Sequence, residues 1–155
     1  MPVQVLLIPQ SSPNLPANPA ITPKLLAEWK TAKPGVLQDF QRILTPFFSK
    51  SYLKNEGNKA SEYFQYRAFG KNNQSAKSFY HQINAILNCN GTVYLSQIDP
   101  SEVVIIGGQE DYLLGPSHNT DFKKALIGAS HYEIPHLGHM VNIEKPWLLG
   151  KEWSM

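Results

Sequence analysis

The sequence has a single cysteine, Cys89, among its 155 residues, so the chain cannot form an internal disulfide bond. It also lacks long apolar runs. The longest, Val5–Ile8 and Val103–Ile106, are far shorter than the roughly 20 residues that a membrane-spanning helix needs. The first residues carry neither the positive charge nor the apolar stretch of a secretory signal. A cytoplasmic chain with no membrane span is therefore expected.

Runs of charge of one sign are absent as well. The 14 Lys and Arg residues nearly balance the 12 Asp and Glu residues, and the basic ones are scattered singly. Nucleic acid is therefore not expected as a partner, because its binding needs a clustered basic surface. With 42% hydrophobic and 17% charged residues, the composition is that of a folded domain with a core.

Two nearly continuous apolar segments have the pattern of parallel strands that are covered on both faces. The first is Val3–Ile8, which ends at Pro9, and the second is Glu102–Gly108, which ends in two glycines. Ser130–Pro135 has the alternating character of a third, shorter strand. These segments predict an α/β fold with about three parallel strands.

Helical periodicity fills most of the chain between the first two strands. Five prolines in residues 9–23 predict an extended connector before the first helix. Helices are predicted from Pro23, over Val36–Phe47 with a break at Pro46, around Tyr63–Phe69, over Ala76–Leu87, around Phe122–Leu126 and from Pro146. The predicted order is a strand, a helical insertion, a strand, a helix, a strand and a helix.

Polar residues follow the second and third strands at the point where each strand ends. Asp111 comes after the Gly107–Gly108 end, and His139 follows the strand that ends near Pro135. Active sites of parallel sheets gather at the carboxyl ends of the strands, where a carboxylate can orient an imidazole that acts as a general base. The spacing alone also allows Asp111 to cap a turn and His139 to be an ordinary histidine.

The strings Val103–Leu113 and Ile134–Pro146 resemble the α/β-hydrolase superfamily. In that family a G-x-x-D loop after the seventh strand supplies the triad acid, and a G-H loop after the eighth, continued by N-x-E-x-P, supplies the base. The resemblance implies that Asp111 is the acid and His139 the base. It also implies that Val3–Ile8 corresponds to the sixth strand and that the helical region is a cap inserted before the seventh.

The resemblance divides the chain into three parts: residues 1–13 as core strand and loop, 14–101 as the helical cap region, and 102–155 as the carboxyl-terminal core with both loops. Within the cap, the aromatic residues Tyr66, Phe79 and Tyr80 are candidates for a substrate pocket or for helix–helix packing. No cofactor is expected. His136, near His139, lacks the further ligands that a metal site needs, so no metal is expected either.

The family's nucleophile has no counterpart in these residues. The G-x-S-x-G motif and the oxyanion-hole loop precede the sixth strand in the family, and no G-x-S-x-G occurs in this sequence. Serines such as Ser117 and Ser130 lack the strand-turn-helix setting of a nucleophile. The expected function is the carboxyl-terminal half of a Ser-His-Asp hydrolase of small esters, thioesters or amides, inactive alone.

This hypothesis predicts a partner for the chain. An unpaired strand edge at Val3–Ile8 favours association with a complementary amino-terminal half that carries the serine, or self-association. A separate half, an interrupted gene and a coding frame that starts upstream all remain open as its origin. The alternative is a non-catalytic hydrolase remnant that acts as a binding or regulatory subunit.

Overall fold

The computed structural model describes residues 4–5, 23–33, 35–70, 78, 81, 85, 92–113 and 116–151. Within them, three strands form one sheet: β1 (Gln4–Val5), β2 (Val103–Gly108) and β3 (Ser130–Ile134). The helices are α1 (Pro23–Thr31), α2 (Leu37–Leu44), α3 (Lys50–Asn55), α4 (Gly57–Phe69), α5 (Thr92–Leu95), α6 (Pro116–Ala125), α7 (Val141–Glu144) and α8 (Pro146–Lys151), with 3₁₀ turns at Thr45–Phe47 and Pro100–Glu102.

The sheet is parallel throughout, with β2 between β1 and β3. Gln4 pairs with Val103, and the β2–β3 ladder runs from Val104 opposite Ser130 to Gly108 opposite Ile134. The three-stranded α/β prediction is confirmed. Because all strands run the same way, the loops after β2 and β3 leave the sheet at the same edge.

The apolar character of β2 explains its central place. Val103 and Ile105 are buried on one face of the strand, in a cluster with Leu95 of α5 and Leu126 after α6. The neighbouring Val104 and Ile106 are half-buried. A strand covered in this way needs apolar residues at consecutive positions, which is the pattern of this segment.

The helical insertion between β1 and β2 has its own apolar centre. The buried face of α2 consists of Phe40, Ile43 and Leu44, and Pro46 converts the chain to a 3₁₀ turn directly after it, as the sequence predicts. These residues pack in one cluster with Phe48 and with Phe64 of α4. The same cluster includes Leu113, and Met140 and Ile143 pack against it, so the insertion contacts both loops that follow the sheet.

The insertion contains one short helix, α3, that the sequence analysis does not predict. The predicted aromatic-rich helix around Tyr63–Phe69 is confirmed as part of α4, which begins at Gly57, whereas the short helix α3 before it is not predicted. Ser49 caps α3, because its hydroxyl oxygen accepts a hydrogen bond from the Tyr52 N–H at 2.9 Å. Residues 47–51, which include this cap, form hydrogen bonds to residues that follow β2 and β3.

Several predictions fall on residues that the structure does not describe. Of the predicted helix Ala76–Leu87, only Ser78, His81 and Ala85 are described, and each is helical. Most of the predicted strand Val3–Ile8 and all of the proline-rich connector up to Thr22 lie outside the described residues. The domain limits at residues 13 and 101 stay predictions. Across the described chain, no helix has the length and apolarity to cross a bilayer.

Candidate active site

The loop after β2, which carries Asp111 and is called the acidic loop, and the loop after β3, which carries His139 and is called the histidine loop, are held together by backbone hydrogen bonds. The Gln109 N–H donates to the Ile134 carbonyl at 3.0 Å, and the Glu110 N–H donates to the Leu137 carbonyl at 2.9 Å. Gly108 permits this approach, since a Cβ there would overlap the carbonyl oxygens of Leu137 and Gly138. The glycine at the end of β2 therefore brings the acidic loop and the histidine loop into contact.

Asp111 and His139 meet at this junction. Asp111 Oδ2 lies 3.0 Å from His139 Nδ1, and each side chain is only 14% exposed. An ionised carboxylate can only accept, so the hydrogen-bonded Nδ1 carries a proton. In a neutral ring, Nε2 is then free of hydrogen and can accept a proton, as a general base requires.

The other oxygen of Asp111 orients the carboxylate. Asp111 Oδ1 accepts a hydrogen bond from the Leu113 N–H at 3.0 Å, which forms an Asx turn. Asp111 thus caps a turn, which is one of the interpretations that the spacing left open, and its other oxygen contacts the histidine.

The helical insertion lies directly against the histidine. The Phe47 carbonyl accepts hydrogen bonds from the backbone N–H groups of His139 and Met140, at 3.0 and 3.1 Å. The Phe47 ring packs edge-on against the imidazole, with 5.6 Å between ring centroids and 72° between planes. The 3₁₀ turn at Pro46 is what presents Phe47 to this loop.

A buried carboxylate connects the histidine loop to the insertion. Glu144 is 5% exposed and accepts three hydrogen bonds: from the Ser49 N–H at 2.9 Å, the Ser49 hydroxyl at 2.6 Å and the Gly138 N–H at 3.1 Å. The sequence marks Glu144 only as part of N-x-E-x-P. Its contact with Ser49 spans 95 residues, so no local spacing could reveal it.

A second glutamate makes a similar contact nearer the surface. Glu110 accepts hydrogen bonds from the Ser51 N–H at 3.2 Å and the Ser51 hydroxyl at 2.8 Å, and lies 3.1 Å from His136 Nδ1. Hydrogen bonds from His136 and then Ser51 lower the pKa of the Glu110 carboxyl below its ordinary range. His136 has a φ of 56° and a side chain that is 74% exposed.

Of the remaining candidates of the sequence analysis, some lie in the described part of the chain and some do not. Tyr66 lies on α4 and is 62% exposed, whereas Phe79 and Tyr80 lie outside the described residues. Ser130 is exposed at the start of β3. Within the described ranges, no three His, Cys, Asp or Glu residues are grouped so that they could hold a metal ion. The roles assigned to these residues stay predictions.

Sequence comparison alone does not place the chain, since no protein-family model and no curated protein matches it. Its structure does match solved structures. One is MGS-M2, an alpha/beta hydrolase enzyme from a Medee basin deep-sea metagenome library, with a TM-score of 0.62, 21% identity, and coverage of 83% of this chain and 49% of that one.

Two further structures match to a similar extent. Est816, described as an N-acyl homoserine lactone degrading enzyme, has a TM-score of 0.65 and 17% identity, with coverage of 87% of this chain and 51% of the other. A thermophilic esterase from Thermogutta terrifontis, with malate bound, has a TM-score of 0.64 and 13% identity, with coverage of 92% and 50%. The chain spans about half the length of these proteins. It therefore has a partial α/β-hydrolase fold.

Proposed function

We propose that Asp111 and His139 are the acid and the base of a Ser-His-Asp hydrolase that acts on a small ester, thioester or amide. The observation that carries this proposal is the 3.0 Å contact between Asp111 Oδ2 and His139 Nδ1, made by two largely buried side chains at the carboxyl ends of parallel strands. The structural likeness to an esterase and to a lactone-degrading enzyme supports an ester-type substrate.

In this proposal, His139 Nε2 removes the proton from a serine hydroxyl as the serine oxygen bonds to the substrate carbonyl carbon. Asp111 stabilises the imidazolium that results. The same proton then passes from Nε2 to the leaving alcohol, thiol or amine as its bond to the carbonyl carbon breaks. Water repeats the sequence on the acyl-enzyme and releases the acid.

The serine and the oxyanion-hole donors come from outside these 155 residues. The sequence contains no G-x-S-x-G, and the hydroxyls of Ser49 and Ser51, which lie against the two loops, donate to glutamates. An acid–base pair without a nucleophile and oxyanion donors cannot transfer an acyl group. We therefore expect this chain to be inactive by itself and active when a complementary polypeptide supplies both.

The test is reconstitution. The reading frames that flank the gene are searched for a polypeptide with a G-x-S-x-G motif, and this polypeptide is co-expressed with the chain. Hydrolysis of p-nitrophenyl butyrate is then measured. His139→Ala should reduce kcat by roughly 10³-fold or more without loss of association, because the imidazole serves the chemistry.

His136→Ala is the matched control, since His136 lies on the same loop and is exposed. We expect it to retain hydrolysis within about threefold, as for most surface substitutions. Hydrolysis that survives His139→Ala would contradict the proposal. So would a stable complex without hydrolysis, which would instead support the binding or regulatory subunit.

A further inference from the structure

We propose that Glu144 is a positioning residue for His139, and that it acts by fastening the histidine loop to residues 47–49 of the helical insertion. This inference rests on the proposed function, since it assigns a purpose to the exact placement of the imidazole. Glu144 itself contacts neither Asp111 nor the His139 ring in the hydrogen bonds described above.

Both oxygens of the buried Glu144 carboxylate accept hydrogen bonds. Oε1 accepts from the Ser49 N–H, and Oε2 accepts from both the Ser49 hydroxyl and the Gly138 N–H. Ser49 is fully buried and Glu144 nearly so. Burial of a carboxylate costs free energy unless hydrogen-bond donors replace the water around it. Any movement of Glu144 away from its three donors would restore that cost, so the carboxylate stays in this position.

The three segments that these hydrogen bonds join also pack closely. Gly138 precedes His139, and a Cβ at Gly138 would overlap the Ser49 backbone nitrogen and lie 2.6 Å from Glu144 Oε1. The loop backbone therefore touches both the insertion and the carboxylate, with no room for a side chain between them.

Backbone hydrogen bonds connect the contact between Glu144 and Ser49 to the position of the His139 imidazole. Three consecutive N–H groups of the histidine loop bond to the same junction: that of Gly138 to Glu144, and those of His139 and Met140 to the Phe47 carbonyl. These bonds fix the His139 backbone, while the Asx turn at Leu113 fixes Asp111. The Asp111–His139 distance is thus fixed by restraints on both residues, and Glu144 contributes to the restraint on His139.

The test is Glu144→Gln in the chain as it exists. The amide has nearly the same shape, but its nitrogen cannot accept, so at least one of the three donors loses its partner. The readout is the downfield Nδ1 proton resonance of His139 in the ¹⁵N-labelled protein, together with the rate at which that proton exchanges with water. We expect exchange to become faster by at least about tenfold, as for the loss of a hydrogen bond to a charged group.

Glu110→Gln is the matched control. Glu110 also accepts from the N–H and hydroxyl of a serine at the start of α3, but it contacts the His136 side chain and makes no bond to Gly138. We expect exchange of the His139 Nδ1 proton to stay within about twofold of the unmodified chain.

Ser49→Ala is the second variant and keeps the test decisive if Glu144→Gln fails to fold. It removes one donor to Glu144 together with the hydroxyl cap of α3, and it leaves the two backbone donors on Glu144, so an intermediate increase in exchange is expected. Folding is verified by far-UV circular dichroism. A folded Glu144→Gln protein with unchanged exchange would overturn the proposal, and so would loss of the fold in both variants, which would assign the contact to stability instead.

The two proposals fail differently. If the Asp111–His139 bond does not form, the unmodified chain and Asp111→Asn will have the same spectrum in this region, and the proposed function itself is contradicted. If the resonance is present and disappears in Asp111→Asn but is insensitive to Glu144→Gln, only the positioning role is wrong.

Discussion

At the scale of single residues, the two carboxylate oxygens of Asp111 make two different contacts. Oδ1 accepts from the Leu113 N–H and Oδ2 contacts His139 Nδ1. A contact on each oxygen restrains rotation of the carboxylate about its last bond. Both together fix its plane, which is the condition for holding an imidazole in one tautomer.

Asp111→Asn tests this arrangement with a change of almost no volume. The amide nitrogen in place of Oδ2 would face Nδ1 as a donor, so the ring is expected to move its proton to Nε2 and lose its basic nitrogen. Hydrolysis by the reconstituted enzyme should fall by roughly 10⁴-fold with little change in KM. Tautomer populations from ¹⁵N chemical shifts measure the cause directly, and an unchanged tautomer would contradict the explanation.

Glu110 is predicted to make the stability of the chain depend on pH. Its pKa is lower in the folded chain than in the unfolded one, where it returns to the ordinary value, so the unfolded state binds more protons in this range. The resulting stabilisation is complete above the ordinary pKa of a glutamate carboxyl, and it is lost as the pH falls from there through the lower pKa of the folded chain. Urea unfolding across that range should give a shallower pH dependence for Glu110→Gln.

His136→Ala supplies the comparison, because the His136 hydrogen bond contributes most to the lowering of this pKa and Ser51 contributes next. We expect it to remove a larger part of the pH dependence than Ser51→Ala does. If the free energy of unfolding depends on pH equally in the unmodified chain and in Glu110→Gln, the Glu110 carboxyl does not contribute to the pH dependence.

At the scale of elements, the end of β2 is placed by a glycine that has no room for a side chain. Gly108 lies directly beneath the Leu137 and Gly138 carbonyls, and the residues that follow it bond to the histidine loop. The separation of the two loops is therefore decided where the strand ends, before Asp111 is reached.

Gly108→Ala should separate the acidic loop from the histidine loop. The added methyl group must displace backbone atoms rather than a flexible side chain, so we expect a loss of about 1–3 kcal/mol in the free energy of unfolding, measured with urea. The Nδ1 proton resonance of His139 should weaken in parallel.

Gly57→Ala is the control for that substitution. A Cβ at Gly57 would meet nothing within 4 Å, at the start of α4. Alanine there should leave stability unchanged or raise it by up to about 1 kcal/mol, through lower entropy of the unfolded chain. Equal losses at the two glycines would contradict the steric explanation.

At the scale of the whole molecule, the helical insertion and the sheet loops share one apolar cluster. The cluster joins Trp29, Ile43, Phe48 and Phe64 of the insertion to Leu113, and Met140 packs against it. Leu113 lies two residues after Asp111, and Met140 directly follows His139, so the packing of the insertion reaches both sides of the Asp111–His139 pair.

Ile43→Ala is expected to destabilise both parts together. Ile43 is 1% exposed, so the cavity should cost about 2–5 kcal/mol. Tryptophan fluorescence and the His139 Nδ1 resonance should then report the same unfolding transition. Ile127→Ala, at a residue that is 82% exposed, should change stability by no more than about 0.5 kcal/mol. Two separate transitions would mean that the insertion unfolds alone.

Much of this arrangement can be predicted from local patterns. The continuous apolar run at β2 and the alternation at β3 indicate parallel strands, and Pro46 marks the end of α2 because proline lacks the N–H that a helix needs. Asp111 and His139 are found because both follow strands that end at the same edge of the sheet. These signals involve neighbours in the sequence, so period and composition are enough to detect them.

Contacts between distant residues are decided only by the tertiary structure. The Glu144–Ser49 contact joins positions 95 apart, and the Glu110–Ser51 contact joins positions 59 apart. The hydrogen bond from the His139 N–H to the Phe47 carbonyl depends on how the insertion packs. Many segments have a serine or a glutamate that could form such a bond. Which ones meet is determined by the packing of the apolar core, because only the burial that the core creates excludes water and makes one pairing favourable over the others.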